Sequence, residues 1–490
     1  MRIATAVLVL VAGSTAAADV VHLKGGGRLV GRVEDQGDSV RIEMAGGTTT
    51  VPKSRIESIE PKDSPQAEIA RKRRELPDHD VAAALALADA AGEAGLVADR
   101  GELLALAASW APGDEKVRAL CESWRIFERE LPANPAAEAA LAKSLGPDAR
   151  IYRTAHWRIA YDTEVAVARR RGELLEAAWR KFHRLSDRAG IAVRPIDDRL
   201  EAMVLREHAA WLAAIAMPEQ DVRGMVGIYL SETGRILLYD TRTAPEAKDA
   251  EAAVSKERTA VADAQAKLDA QRGEIARVEK AITEGRAARV RDEASLVQLN
   301  AALAQAKSLL AKDREALAAR EADLDRYRTE LNRHFADENV SATTHEACHQ
   351  LAFALGVSKP GQPMWLVEGL ATLFEAQSRT SFVLEAANEG RLRDVKAAWA
   401  RRENGRLADV VTDAVFLPKE RRGVAYAEAW SLSYFLANRC GPDYAKFLAQ
   451  GALLPPGPES AARRLEDFAR FFGGDLPALE HEWRGYIEHL

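Results

Sequence analysis

The sequence predicts an α+β chain of several domains. Three observations carry this. Short stretches of period-2 alternation, separated by glycines, fill residues 19–61 and return after residue 150. Apolar residues recur every seventh position through 246–334. Helical spacing dominates 65–145 and 335–490. At 490 residues the chain has room for two to four domains.

Residues 1–18 read as a signal peptide. Arg2 precedes an apolar run from Ile3 to Ala12, and Ala16-Ala17-Ala18 fits the A-x-A cleavage rule, leaving Asp19 first in the mature chain. The run is short for a bilayer span, and an uncleaved anchor is the alternative. No cysteine follows it to take a lipid, and no later segment is long and apolar enough to span a membrane. The expected location is periplasmic or secreted, with no membrane span after cleavage.

Residues 19–61 predict a small β module. Val40, Ile42 and Met44 alternate within one strand, and Gly25-Gly26-Gly27 and Gly46-Gly47 mark turns. The pattern resembles the small SH3-like barrels, which implies an antiparallel barrel or sandwich. Residues 65–145 predict short helices, with Leu85, Leu87, Leu96, Leu103, Leu104 and Leu106 at helical spacing and prolines between the pieces. Paired helices here resemble a tetratricopeptide-like array, but only one or two units fit, too few to stand alone.

From residue 150 the alternation returns. His156 to Tyr161 and Leu200 to Leu205 predict strands. Glu164 to Ala189 predicts a helix with Leu174, Leu175, Trp179, Phe182 and Leu185 on one side. Val226 to Leu230 and Arg235 to Tyr239 flank Ser231-Glu232-Thr233-Gly234 as a hairpin.

In 246–334, Val254, Val261, Leu268, Ile275 and Ile282 form one heptad series, and Leu296 to Leu331 form a second. A break at Thr283 to Gly285 predicts an antiparallel coiled-coil hairpin, each arm reaching roughly 55–70 Å at 1.5 Å per residue. A single long interrupted helix is the alternative. The hairpin is expected as an insertion, so one domain would comprise 150–245 and 335–490.

The chemistry concentrates in His345-Glu346-Ala347-Cys348-His349. Residues i and i+4 of a helix share a face, so the two imidazoles can bind one Zn²⁺ at about 2.0–2.1 Å. Glu346 can lean over the open side of the metal and take a proton from water. A third ligand is needed. Glu368, in the predicted helix that opens at Pro363, is the candidate, with Gly356 and Pro360-Gly361-Gln362 turning the chain back. Two His and one Glu form a known catalytic zinc set.

This run, continued by Trp365-Leu366-Val367-Glu368-Gly369-Leu370-Ala371-Thr372-Leu373-Phe374-Glu375, resembles the gluzincins of the peptidase MA clan. It is most similar to a secreted branch with a HEATHQ…WLVEGLATFFE signature. His345, Glu346, His349, Gln350, Trp365, Glu368, Gly369 and Glu375 match that signature. The resemblance implies a thermolysin-like mixed sheet beside an active-site helix pair. It also implies an oxyanion-binding role for Tyr426, for which a buried structural tyrosine is the alternative. Thr372 and Glu375 are candidates to orient a ligand histidine, and Cys348 is expected to fill core space. Gluzincin aminopeptidases carry a G-x-M-E-N strand whose Glu holds the substrate amine. Gly224-Met225-Val226-Gly227 lacks that Glu, so endopeptidase action is the expectation.

The expected function is therefore an exported zinc metallopeptidase acting on peptide or protein substrates. A zinc-containing scaffold that binds a protein partner through the coiled coil and N-terminal modules is the alternative. A latent enzyme gated by the hairpin is a third reading. The net charge of −6 argues against a nucleic-acid partner, because phosphate binding wants a basic face. Three widely spaced cysteines, Cys121, Cys348 and Cys440, make no disulfide framework, and at most one pair could form.

Overall fold

A computed structural model describes residues 19–490, apart from 25–27, 36, 38, 45–46, 61–64, 95, 219–221, 223, 288–292, 376–386 and 404. The expected signal peptide lies outside the described residues. The chain is mostly helical, with a five-stranded antiparallel sheet at its start and a small mixed sheet of five strands after residue 150.

The first sheet comprises β1 (Asp19–Leu23), β2 (Arg28–Asp35), β3 (Ser39–Met44), β4 (Gly47–Pro52) and β5 (Ile56–Glu60). Its order is β4-β3-β2-β1-β5. Arg28 to Gly31 of β2 pair with β1, and Arg32 to Asp35 pair with β3. Val21, Val40, Ile42 and Val51 form its buried core. The expected barrel is corrected here: among the described residues the sheet is open, with β4 and β5 as its two edges. Alternation fixes which residues point inward, but closure depends on strand shear and tilt, which alternation does not encode.

Five helices follow, Pro65–Arg74, Val81–Glu93, Val97–Trp110, Glu115–Glu128 and Pro135–Leu145. Asp80, Asp114 and Asn134 cap three of them through side-chain acceptance from a backbone N–H three residues on.

The second sheet comprises β6 (Arg150–Arg153), β7 (Trp157–Tyr161), β8 (Leu200–Leu205), β9 (Gly227–Leu230) and β10 (Arg235–Tyr239), in the order β6-β7-β8-β10-β9. β7, β8 and β10 run parallel, and β6 and β9 are antiparallel edges. The parallel step from β7 to β8 needs a crossover, and the helix Val165–Ala189 supplies it. Ile159, Ala202, Val204, Ile236 and Leu238 point to the face that packs on Leu175, Phe182, Cys348 and Leu351. Ala160, Met203, Leu205, Leu237 and Tyr239 point to the other, around Trp211.

Two long helices, Pro245–Ala287 and Glu293–Ala354, pack against each other. Glu257 pairs with Arg320 and Glu279 with Lys307, an order that makes the helices antiparallel. Val254, Leu268, Ile282 and Leu317 of the heptad series are buried. Thr283 to Gly285, the expected reversal, instead lies inside the first helix, which continues to Ala287. A single Thr and Gly cost a helix about 1 kcal/mol each or less, which the seam residue Ile282 offsets. The second helix runs 62 residues and carries the histidine motif in its last turns. No helix break marks residue 335.

Among the described residues, no helix is long and apolar enough to cross a membrane. All three cysteines are free.

Candidate metal centre

The motif helix ends at Ala354, where Gly356 adopts a left-handed conformation (φ 79°) that glycine enters without a Cβ penalty. Gly361 (φ 90°) makes a second such turn. The chain re-enters a helix at Met364–Thr372, with Pro363 as its N-cap. Pro363 has no side chain able to cap, and Asp413 does this from a distant loop: its carboxylate accepts from the Met364 and Trp365 N–H groups at 2.9 Å each. Arg464 donates to the same carboxylate at 2.8 Å. Gly369 lets this helix lie against the helix Arg422–Arg439. A Cβ there would sit 2.6 Å from Ala429 O and closer still to Ser433 Oγ.

Gln350 pins the motif helix to the sheet. Its Oε1 accepts from Trp157 Nε1 at 2.8 Å, and its Nε2 donates to Glu201 O at 2.9 Å and Gly234 O at 2.7 Å. Just ahead of the motif, the buried Arg171 of the helix Val165–Ala189 holds the same helix, donating to Asn339 O at 2.8 Å and Thr343 Oγ1 at 2.5 Å, and it also donates to Tyr239 O at 3.2 Å.

These anchors bring His345, His349 and Glu368 together, with one ligand atom from each inside 4.8 Å of the others. The two Nε2 atoms are 3.0 Å apart, and Glu368 Oε2 lies 3.3 Å from His345 Nε2 and 3.4 Å from His349 Nε2. Glu368 Oε2 is buried and accepts no hydrogen bond, a costly state for a carboxylate oxygen unless a cation satisfies it. His345 Nδ1 is 3.0 Å from Glu375 Oε1. With Nδ1 as the donor to Glu375, loss of the Nε2 proton would turn a lone pair toward the shared point. The donor set therefore fits a metal ion.

A bound ion would take the place of the Nε2 proton that the surrounding carboxylates otherwise favour on His345. Burial disfavours a charged His345, but Glu368, Glu375 and Glu346 outweigh it and hold its imidazolium up to about 10. Burial likewise opposes ionisation of Glu368 and Glu375, yet the histidines hold Glu368 far below the usual carboxylate range. Arg391 and His345 hold Glu375 down to about 2. The centre favours positive charge at the point between the imidazoles.

Glu346 stands beside this group, and its Oε2 accepts from the Tyr229 N–H of edge strand β9 at 2.7 Å. A Cβ on Gly227 would collide with Leu238 and lie 3.4 Å from Glu346 Cγ, so glycine permits this close strand. The Tyr426 ring is 6.2 Å from the His345 ring. Burial, reinforced by Glu368 and Glu346, pushes its hydroxyl well above the ordinary range, so it stays a hydrogen-bond donor.

The structure thus groups His345, His349, Glu368, Glu346, Glu375 and Tyr426. Thr372, expected to orient a histidine, instead donates to Gly369 O at 2.9 Å within its own helix. It is fully buried there, and the local carbonyl is the acceptor in reach. Sequence reasoning missed Asn388 and Arg391, which bind Glu375 across 13 and 16 residues of chain, and Asp413, which caps the helix of Glu368 across 49. Cys348 is buried in the core, as expected of it.

Residues 339–456, about a quarter of the chain, match a family described as a protein of unknown function, DUF1570. The matched segment contains the whole metal-ligand group with Glu375, Arg391 and Tyr426. No curated protein and no solved structure matches the chain.

Proposed function

We propose that this protein is an exported zinc metallopeptidase of the gluzincin type. The observation that carries the reading is Glu368 Oε2, buried without a hydrogen bond and facing two imidazole nitrogens, with Glu346 one residue after the first of them. His345, His349 and Glu368 would hold the ion, leaving a position open for water or substrate. Zinc, when bound, supplies Lewis acidity to a peptide carbonyl and lowers the pKa of a water molecule.

The chain's own groups do the rest. Glu346 takes the proton from the water and passes it to the leaving amine. The Tyr229 N–H holds that carboxylate in place. The protonated Tyr426 hydroxyl donates to the developing oxyanion. Glu375 keeps His345 in the tautomer that presents Nε2. Without an acidic residue in Gly224-Met225-Val226-Gly227 to hold a free amine, cleavage within a peptide is the preferred mode.

The test is a peptide-library digest with purified protein beside Glu346→Gln. Internal cleavage that the variant loses supports the reading. Stoichiometric zinc with no Glu346-dependent cleavage rejects the peptidase and favours a zinc-containing scaffold.

A second reading of the hairpin is favoured by one observation: its returning arm and the motif helix are the same 62-residue helix. A protein partner on the hairpin could therefore act on His345. Deleting 246–334 and comparing cleavage would separate gating, which changes activity, from docking, which does not.

A further inference from the structure

We infer that Arg391 is a positioning residue for the metal centre, acting through Glu375 to fix His345. The inference rests on the zinc-site reading above. Glu375 sits in a short 3-10 turn, Leu373–Glu375, beyond the helix that carries Glu368. A carboxylate in such a turn can rotate and offer either oxygen to His345.

Arg391 removes that freedom. Its Nη2 donates to Glu375 Oε1 at 2.8 Å, the same oxygen that faces His345 Nδ1 at 3.0 Å. Its Nε donates to Oε2, also at 2.8 Å. The planar fork therefore fixes the plane of the carboxylate, which a point charge would not do.

Asn388 completes the clamp from both ends. Its Nδ2 donates to Glu375 Oε2 at 3.2 Å, and its Oδ1 accepts from the Arg391 backbone N–H at 3.2 Å. That second bond caps the helix Glu389–Ala400, which Val395 and Ala398 seat in the core. The clamp is thus built on a rigid element. The Arg391 guanidinium also lies over the Tyr426 ring, 5.6 Å from its centroid. One cation touches both the partner of a metal ligand and the ring that faces that ligand.

Removing the partner of a ligand histidine typically costs roughly 10–100-fold in metal affinity. The test compares full-length wild type with Arg391→Ala, Arg391→Lys, Glu375→Gln and the double variant Glu375→Gln/Arg391→Ala. Zinc affinity is read by competition with a chromophoric chelator, and thermal unfolding of the zinc-free proteins is read alongside. Arg391→Ala should weaken zinc binding roughly 10–100-fold, and Arg391→Lys should recover only part of this. The double variant should bind zinc no more weakly than Glu375→Gln alone, because Arg391 acts through that carboxylate.

Unchanged zinc affinity in Arg391→Ala, or a loss fully additive with Glu375→Gln, overturns the inference. Where Arg391→Ala does not fold, Arg391→Lys decides: wild-type affinity in that variant overturns the need for the fork. A wild-type protein that takes up no zinc defeats the metal-site reading itself, an outcome the variants cannot mimic.

Discussion

Glu346 on the motif helix accepts a hydrogen bond from the backbone N–H of Tyr229, 2.7 Å away on edge strand β9. The bond joins the helix that carries both histidines to the outer strand of the sheet. A bond to an ionised acceptor is worth about 1.5–3 kcal/mol.

Tyr229→Pro deletes that donor. Because the Tyr229 N–H points at Glu346 and not at β10, the sheet ladder loses no bond, and an edge strand tolerates proline. The expected result is a fall in kcat of about 10–100-fold with zinc content unchanged. Steady-state kinetics with metal analysis on the same sample check this. A Tyr229→Pro protein with wild-type kcat removes the bond from the account.

Gly369→Ala forces a methyl group against Ala429 O and Ser433 Oγ. The helix Met364–Thr372 must move away from the helix Arg422–Arg439, and Glu368 moves with it. We expect a loss of about 1–3 kcal/mol in stability, with weaker zinc binding than in wild type. Thermal unfolding and chelator competition read the two effects. Adding Ser433→Ala should recover only part of the loss, since the Ala429 carbonyl stays.

Acid should loosen the seam between the helices Glu115–Glu128 and Val165–Ala189. Asp187 there accepts from Arg100 and Ser123 at 2.6 Å each and pairs with His183 at 2.9 Å. Burial lowers the His183 pKa below its ordinary 6.5. The folded state therefore prefers the neutral ring, and this contribution declines as pH falls below 6.5. Burial alone would raise the Asp187 pKa, but His183, Arg100 and Ser123 hold it below its ordinary 3.8. Its contribution is present above 3.8 and is lost as pH falls through the lower folded value. Trp124, 5.7 Å from the His183 ring, should report both steps by fluorescence. Asp187→Asn should abolish the lower step. A signal flat from neutral pH to below 3.8 contradicts the assignment.

Much of this centre was legible from spacing. An i, i+4 histidine pair on one helix face and a carboxylate returned by a glycine-turned helix needed only helical geometry. The strands at Leu200–Leu205 and Arg235–Tyr239 stood out for their apolar runs. The supports did not. Arg391 reaches Glu375, and Asp413 caps the helix that carries Glu368, each from another element, and nothing in their local sequence encodes that contact. Gln350 carried no signal beyond its place in the motif, because its three partners lie on other strands and turns. Thr372 misled because a hydroxyl in a helix can satisfy itself on its own backbone. The edge strand β6 was missed, since Arg150–Arg153 offers only Ile151 and Tyr152 between two arginines.

The most direct test is the zinc content of the purified protein after dialysis against metal-free buffer, beside Glu346→Gln and His349→Ala prepared identically. The account predicts a single zinc ion per chain in wild type and in Glu346→Gln, and its loss in His349→Ala. A metal-free wild type, or full zinc retained by His349→Ala, would contradict it.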